Sequence, residues 1–330
     1  MTSASTAMGD SQEDLKHGAF DLGRAAPTPP TARLLDEAFD QVGTFDFEIP
    51  NPFINHAPMA CEALATLGLT SAINEWVELH ESVLGAKFAT FGTTTRRAIH
   101  PVTPTWGHGF SWRDKLGDNR LLPEWMGYFE RAIDDDGWRH VVRTWVPRLM
   151  PGLVSALFHG VIRTSHAVRA LDVTDTGARR AELARALGNW AVWFGPGQPT
   201  DESIFSGDPG IAIVKAAAQA AGCYVSQPNI VTLHGVTGAM AVHLLSAYLD
   251  PFDAASALSQ LEAEHRAVYH DVTPGTVADT DDQWDSQFAD RAIRSFDPHP
   301  IKLVEACLRG LNLTGDPRFI AAARLVTDTP

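Results

Sequence analysis

Four histidines lie in apolar stretches of the chain, where an imidazole is expected to face the protein interior. His56 precedes an Ala-Pro-Met-Ala segment, His159 follows Leu-Phe, His234 follows Val-Thr-Leu, and His299 precedes Pro-Ile. A neutral imidazole nitrogen is a good ligand for iron, zinc or copper. The four residues can therefore form a metal site if the fold brings them together. A single histidine on an apolar helix is more often a core residue with a hydrogen-bond partner, and this alternative stays open for each of them.

Lys302 is the second unusual residue, because it falls at the start of an otherwise apolar helical segment, with Ile301 and Leu303 beside it. A buried ammonium group needs a partner or has to lose its charge. The simpler interpretation is a salt bridge to Glu305 or a side chain that extends to solvent. The residue pattern leaves both interpretations open.

Glycine follows two of these histidines directly, as Gly160 and Gly235. A residue without a Cβ atom lets another group approach the helix closely. A bound group beside the histidines and close packing of two helices explain the pattern equally well.

The remaining histidines give weaker signals. Four of them occur among charged residues and are predicted to lie on solvated helix faces: His80, His140, His265 and His270. His243 is predicted to be structural, and His17 falls in the polar amino-terminal stretch. His100 and His108 fall in a long segment rich in Gly, Pro and Thr, and they are candidates for contact with a substrate.

The net charge of the chain is −14, with 26 basic residues spread among 40 acidic ones. Such a surface repels phosphate backbones and anionic lipids, so nucleic acids and membrane surfaces are not expected as partners. No stretch of about 18 uncharged apolar residues occurs, which argues against a transmembrane helix. Residues 1–14 are polar and lack the apolar core of a signal peptide. We therefore expect a cytoplasmic protein.

The three cysteines are Cys61, Cys223 and Cys307, which are far apart and form no CxxC pair. This spacing argues against a zinc knuckle or a thioredoxin-like redox site. An odd and sparse number of cysteines suits a reducing compartment. We predict that all three are buried thiols.

Several common nucleotide and nucleophile motifs are missing from the chain. It contains no GxGxxG after a strand pattern, no GxxxxGK[ST], no GxSxG and no HExxH. These absences argue against a dinucleotide-binding fold, a P-loop, an α/β-hydrolase and a common zinc peptidase.

The elements that must position the histidines are predicted to be helices. Apolar residues recur at helical spacing in segments 31–41, 56–67, 71–84, 124–133, 138–145, 153–171, 178–193, 210–221, 230–249, 254–268, 282–296, 299–311 and 317–326. Only 87–91 and 211–214 carry weak strand signals. The sequence predicts a mainly α fold, with a single large helical domain over 31–330 after a flexible arm over 1–30. The irregular segment 85–120 is too long for a plain connection and is expected to cover a functional site.

Several of these segments resemble blocks of the questin oxidase-like family, in matching order. The blocks are 55–60, 158–163, 234–237 and 299–303, and 112–118 resembles the loop before a family helix. The likeness extends from about residue 35 to about residue 320. It implies an oxygenase of secondary metabolism that uses O₂ to oxidise or cleave the ring of an aromatic polyketide of anthraquinone or anthraquinol type. It also implies a non-haem iron(II) held by four histidines and a carboxylated lysine.

The resemblance assigns roles to individual residues of this chain. His56, His159, His234 and Lys302 match the family blocks and are implied as catalytic metal ligands. For the fourth histidine we choose His299, because it lies one helical turn before Lys302 and both can face one ion.

His166 and Arg163 are candidates for a position behind the ligands or in contact with the substrate. His166 lies two turns after His159 on roughly the same helix face. Arg163 stands where relatives tend to have a second histidine, so the metal site differs from theirs if that histidine is a ligand. An arginine can instead orient a phenolate or a carboxylate.

A flat aromatic substrate needs apolar walls, and the candidates are Trp106, Trp112, Phe158, Phe110 and Trp193. NADPH is the expected external reductant, although the sequence contains no site for it. One alternative is a metal-independent, NADPH-dependent monooxygenase of Baeyer–Villiger type from the same family. Another is a non-catalytic helical binding protein whose histidines are packing residues. A hydrolytic zinc enzyme is a weaker fourth hypothesis, because no carboxylate base stands out.

Overall fold

The computed structural model describes residues 29–43, 54–90, 98–106, 111–200, 207–275 and 283–328. Within these ranges the chain is helical and contains no sheet. The α-helices are α1 (Pro29–Val42), α2 (Ala57–Thr66), α3 (Ile73–Thr90), α4 (Leu122–Asp136), α5 (Trp138–Leu149), α6 (His159–Val173), α7 (Gly177–Trp193), α8 (Pro209–Ser226), α9 (Ile230–Ser246), α10 (Pro251–Val268), α11 (Phe288–Arg294), α12 (Pro298–Thr314) and α13 (Arg318–Asp328). The predicted mainly α fold is confirmed. None of the helices in these ranges combines the length and the apolar character needed to cross a membrane.

Three local predictions differ from the structure. Both strand candidates are wrong, since 211–214 lies within α8 and 87–90 continues α3. A short apolar run has the same composition in a buried helix as in a strand, so pattern alone could not separate them. The helix predicted from residue 153 begins only at His159. Most of the predicted flexible arm, residues 1–28, lies outside the described residues.

Four helices enclose a common interior. Helix α2 packs against α6, α6 against α9, α9 against α12, and α12 against α2. Helix α9 is buried along almost its whole length, as expected for a helix that is apolar on every side. Helices α7, α8, α10 and α13 cover this group from outside. Side chains that point into the interior between these four helices are therefore removed from water.

Capping side chains fix where two of these helices begin. Asn229 accepts the backbone N–H groups of Val231 and Thr232, and the Thr232 hydroxyl accepts the N–H of Asn229 in return. Asp297 accepts the N–H of His299 at the start of α12. Such caps stabilise a helix start at a defined residue. They set the position of His234 and His299 along their helices.

Two glycines allow contacts that a side chain would block. A Cβ atom on Gly160 would lie 2.4 Å from the ring of Trp190, which joins α6 to α7. A Cβ atom on Gly238 would lie 2.7 Å from the ring of Phe158. Close packing therefore explains these glycines.

A left-handed turn precedes α6. Ala156, Leu157 and Phe158 have φ angles of 49°, 55° and 64°, a conformation that costs an L-residue about 1–2 kcal/mol. Such strain persists only where the surroundings enforce it. Phe158 is buried against Gly238, and the Ala156 carbonyl accepts a hydrogen bond from Nδ1 of His159. The turn thus places the first histidine of α6.

Replacing Ala156 with glycine tests this strain, because the Ala156 side chain is exposed and contributes little packing. Glycine removes the left-handed penalty, which stabilises the folded protein by about 1–2 kcal/mol. Its greater freedom in the unfolded chain offsets about 0.4–1 kcal/mol of this gain. We expect Ala156→Gly to raise the free energy of unfolding by about 0.5 kcal/mol, measured by urea denaturation. The matched control is Ala267→Gly on exposed, right-handed α10, which should lower it by about 0.5–1 kcal/mol. Equal losses in both variants would show that the turn is not strained.

Candidate metal centre

Four helix starts bring the four histidines together. His56 directly precedes α2, His159 is the first residue of α6, His234 is the fifth residue of α9, and His299 is the second residue of α12. The first three are buried, and the side chain of His299 is 17% exposed. Histidines 243 positions apart in the sequence thus share one buried site, which we call the histidine cluster.

The nitrogen atoms of the cluster are close enough to share one ion. Nε2 of His159 lies 2.6 Å from Nε2 of His56 and 3.1 Å from Nε2 of His234. The ring of His299 lies 4.7 Å from that of His56 and 5.2 Å from that of His234, centre to centre. One ring nitrogen from each residue lies within 4.8 Å of the other three.

These nitrogen–nitrogen separations are compatible with coordination of one metal ion. Two imidazoles at right angles around an ion, each about 2.1 Å from it, have nitrogens about 3 Å apart. Both measured Nε2 separations fall near this value. The buried four-histidine group could therefore bind a metal.

Hydrogen bonds to the backbone fix the tautomers of two cluster histidines. Nδ1 of His159 faces the carbonyl of Ala156, and Nδ1 of His234 lies 2.7 Å from the carbonyl of Ile230. A carbonyl only accepts, so we assign the ring proton of each neutral histidine to Nδ1. The two Nε2 atoms, 3.1 Å apart, then face each other as lone pairs. A cation bound by both nitrogens removes this repulsion.

Protonation of His159 or His234 would also remove the repulsion between their Nε2 lone pairs, but it is unfavourable. Burial holds the pKa of His159 well below its usual range, and the nearby His56, His234 and Lys302 lower it further. Burial also holds the pKa of His234 well below its usual range, and the charge of Lys302 adds to the effect. Both rings therefore remain neutral near pH 7, which is the state in which imidazole binds a metal.

His299 is oriented by a carboxylate. Its Nδ1 lies 2.7 Å from Oδ1 of Asp297, which also caps α12. Although burial alone would raise the pKa of Asp297, the hydrogen bond to His299 brings it below its usual range. A carboxylate on Nδ1 is a common partner of metal-bound histidine, because it aims the other nitrogen at the ion. The sequence pattern does not identify Asp297 as part of the site, although an aspartate two residues before His299 is a recognisable signal for a helix start.

Lys302 is fully buried one turn after His299. Its charge lowers the pKa of both His159 and His234, so it lies near the cluster. The side chain does not extend to solvent, which excludes that alternative. Glu305, the other alternative partner, forms ion pairs with Arg169 and Arg309.

His166 and Arg163 lie outside the cluster. Nδ1 of His166 lies 2.5 Å from Oε2 of Glu62. Arg163 donates two hydrogen bonds, of 2.6 and 2.9 Å, to the carboxylate of Glu182 on α7. Two of its guanidinium nitrogens are therefore held by a buried protein carboxylate. The third, Nη1, is buried with no hydrogen-bond partner among the described residues, and contact of Arg163 with a substrate anion stays a prediction.

Three of the five aromatic wall candidates occupy different places. Phe158 is buried directly before His159. Trp106 packs on Trp125, and Trp112 packs on Trp145, with ring centres 4.8 and 5.5 Å apart. Trp112 also lines a surface cavity of about 420 Å³. Trp106 and Trp112 thus belong to an aromatic group around α4 and α5.

The other candidates are distributed as follows. Trp193 is partly buried at the end of α7, and His100 is exposed. His108 and Phe110 lie outside the described residues.

Two histidines predicted to be solvated are buried. His80 stacks on Trp76, with ring centres 4.6 Å apart, and His265 packs against Tyr269 at 5.1 Å. Charged sequence neighbours suggested solvent, but the residues four positions earlier, Trp76 and Leu261, mark the buried face. His140 and His270 are exposed as predicted. All three cysteines are buried free thiols, also as predicted.

Fold and site together define a helical protein with a buried cluster of neutral histidines suited to a metal ion. The sequence profile of the questin oxidase-like family matches residues 53–192, so the resemblance drawn from the sequence is confirmed over that range. The matched range contains His56 and His159 and ends before His234, His299 and Lys302. No curated protein matches the chain.

Acid stability tests the burial of His265. Burial lowers the pKa of His265 from 6.5 to about 4, so between these values only the unfolded chain binds this proton. The free energy of unfolding should then fall as the pH drops from 6.5 to 4, by up to about 3 kcal/mol from this residue. We expect His265→Gln to flatten this pH dependence in chelator-treated protein, measured by urea denaturation. The control His270→Gln changes an exposed ring and should leave the slope unchanged; an unchanged slope in His265→Gln would contradict the assignment.

Proposed function

We propose that this protein is a metal-dependent oxygenase that oxidises or ring-cleaves an aromatic polyketide of anthraquinone or anthraquinol type with O₂. The proposed ligands of the metal, iron(II), are His56, His159, His234, His299 and Lys302. The family match supports the reaction class. The four-histidine group supports a metal.

One observation carries the metal dependence. Nε2 of His159 and Nε2 of His234 lie 3.1 Å apart, and the ring protons are assigned to the two Nδ1 atoms because these face backbone carbonyls. Two lone pairs at this distance in a dry interior repel each other. Protein interiors tolerate such a contact when a cation compensates for it. A packing role for the histidines does not explain it.

Lys302 is proposed to supply an anionic oxygen ligand. A neutral lysine amine adds CO₂, which forms a nitrogen–carbon bond and releases one proton to solvent. The product is a carbamate, whose oxygen suits iron(II) better than an ammonium does. The four-residue metal group contains no carboxylate, so a carbamate would provide negative charge that the side chains there lack.

The backbone also favours anions at this site. Four helices place their amino-terminal ends at the cluster, and each end carries roughly half a positive charge. This field stabilises a carbamate and an ionised phenol oxygen of the substrate. Bound iron(II) would supply the one-electron chemistry that lets O₂ react with a closed-shell phenol. The chain keeps the imidazoles neutral, excludes water and fixes their orientation. NADPH is proposed as an external reductant.

Metal content and oxygen uptake test the proposal together. We expect about one iron per chain in purified protein, as the histidine cluster requires, and iron-dependent oxygen uptake with one or more anthraquinols. His234→Ala should lose both, because it removes a ligand from the centre of the cluster. His140→Ala on the surface of α5 is the control and should retain both. Circular dichroism checks that each variant is folded.

The outcomes separate the competing functions. Full oxygen uptake after exhaustive chelation would reject metal dependence and favour the metal-independent monooxygenase. A protein that binds no metal and consumes no oxygen with any anthraquinol would favour a helical binding protein. Bound zinc with no oxygen uptake would favour a hydrolytic enzyme.

Lys302→Ala tests the carbamate. We expect loss of oxygen uptake and partial recovery with acetate or propionate, because a small carboxylate can occupy the space of the missing side chain. Protein equilibrated with ¹³C-bicarbonate should show a carbamate signal by ¹³C NMR that Lys302→Ala lacks. Lys215→Ala, on the exposed face of α8, is the control. An intact signal in Lys302→Ala, or unchanged activity, would reject this role.

A further inference from the structure

A second cluster of buried polar side chains lies deeper along the helices that carry the histidines. It consists of Glu62 on α2, His166 and Arg169 on α6, and Glu305 and Arg309 on α12. We call these five residues the Arg169 network. No side chain of the network is more than 14% exposed. The mechanism proposed above uses none of them.

Arg169 is the centre of this network. Its Nε lies 2.8 Å from Oε1 of Glu62, one terminal nitrogen lies 2.5 Å from Oε2 of the same carboxylate, and the other contacts Glu305. Glu62 also accepts a 2.5 Å hydrogen bond from Nδ1 of His166. One guanidinium group thereby joins α6 to both α2 and α12.

Arg309 connects the remaining helix. It pairs with Glu305 at 3.2 Å and donates a 2.6 Å hydrogen bond to the backbone carbonyl of Met240 on α9. The network therefore contacts all four helices that form the histidine cluster. Its two guanidinium groups balance its two carboxylates.

The network lies about two turns below the cluster on every helix. Glu62 follows His56 by six residues, and His166 follows His159 by seven. Met240 and Glu305 follow His234 and His299 by six residues each. Six or seven residues correspond to about 9–10 Å along a helix. Two polar groups thus share the same four helices.

A buried ion network fixes geometry more than it adds stability. Desolvation offsets most of the attraction between buried charges, whereas a displaced partner leaves a charge uncompensated. Although burial alone would raise the pKa of Glu305, Arg169 and Arg309 bring it down to about 2. The carboxylate therefore stays charged at neutral pH. The four helices cannot slide past one another without separating these charges.

We propose that Arg169 is a positioning residue that sets the relative register of α2, α6 and α12 and thereby the separations of the histidine nitrogens. The proposal rests on the proposed function only where it concerns metal affinity. Arg169 has no contact with the ion in this role. It acts through the helices at whose amino-terminal ends the proposed ligands lie.

Arg169→Lys is the test variant, because it keeps the positive charge but cannot donate to two carboxylates with a planar fork. Arg179→Lys is the matched control. Arg179 is more deeply buried than Arg169 and pairs with Asp36 at 2.7 Å. This ion pair joins α7 to α1, and neither helix carries a cluster histidine; on α6 Arg179 reaches only backbone carbonyls near the helix end, Ala170 among them. Both variants lose a buried arginine ion pair, so a general loss of stability should appear in both.

Cobalt(II) titration of the metal-free proteins, followed by visible absorption, measures affinity and ligand geometry. We expect Arg169→Lys to bind cobalt(II) about tenfold more weakly than wild type, as is typical when an outer support of metal ligands is removed, and with an altered spectrum. Arg179→Lys should keep the wild-type affinity and spectrum. Thermal unfolding of both metal-free variants shows whether their losses of stability are comparable.

Crystal structures of the metal-free variants decide the question independently of any metal. We expect the Nε2 separations of His56, His159 and His234 to change in Arg169→Lys and to remain in Arg179→Lys. Unchanged separations and unchanged cobalt(II) affinity in Arg169→Lys would overturn the proposal.

Failure of the proposed function is distinguishable from failure of this inference. A wild-type protein that binds neither iron(II) nor cobalt(II) would reject the metal function, while the crystal structures would still show whether Arg169 sets the cluster. If Arg169→Lys does not fold, Glu62→Gln supplies the same test, because it keeps the shape of the side chain and removes its charge. Wild-type separations in Glu62→Gln would then overturn the proposal.

Discussion

Two neutral imidazoles face each other through their lone pairs at the centre of this structure. His159 and His234 direct their ring protons to backbone carbonyls, and their Nε2 atoms lie 3.1 Å apart with His56 beside them. In a buried place such a contact is unfavourable unless both nitrogens bind one cation. The arrangement of the surrounding helices serves to keep these nitrogens together.

Two electrostatic effects at the site oppose each other. Neutral imidazoles suit a cation, but four helix amino termini add partial positive charge around it. Binding of a divalent ion there is favourable only with an anionic ligand. The proposed carbamate on Lys302 and an ionised phenol substrate both answer this requirement. The same field would disfavour a cationic substrate.

Precise placement of the cluster has visible local costs. Residues 156–158 adopt left-handed backbone that alanine, leucine and phenylalanine rarely accept. Glycines at 160 and 238 remove side chains so that rings can pack directly on the helices. Further along the same helices, Arg169 on α6 binds the carboxylates of Glu62 on α2 and Glu305 on α12. Tight packing, strain and buried charge are all concentrated on the helices that hold the histidines.

The sequence by itself determined the mainly α class, the family resemblance and the unusual status of the four apolar-flanked histidines and Lys302. These follow from helical periodicity and from the cost of burying polar groups, which are local properties of the chain. It could not separate a strand from a helix at 211–214, because a four-residue apolar run suits either. It misjudged His80 and His265, since charged neighbours in sequence lie on the other side of the helix.

Only the tertiary structure decided which residues meet. It placed His299 in the cluster and His166 against Glu62, a choice that spacing of one or two turns left open. It also showed that Arg163 is bound to Glu182 and that Arg169 joins three helices. The physical reason is that these contacts span more than a hundred positions, or lie between helices whose packing angle and register no local pattern encodes. Chemistry at the site depends on those distances, and they exist only once the helices are packed.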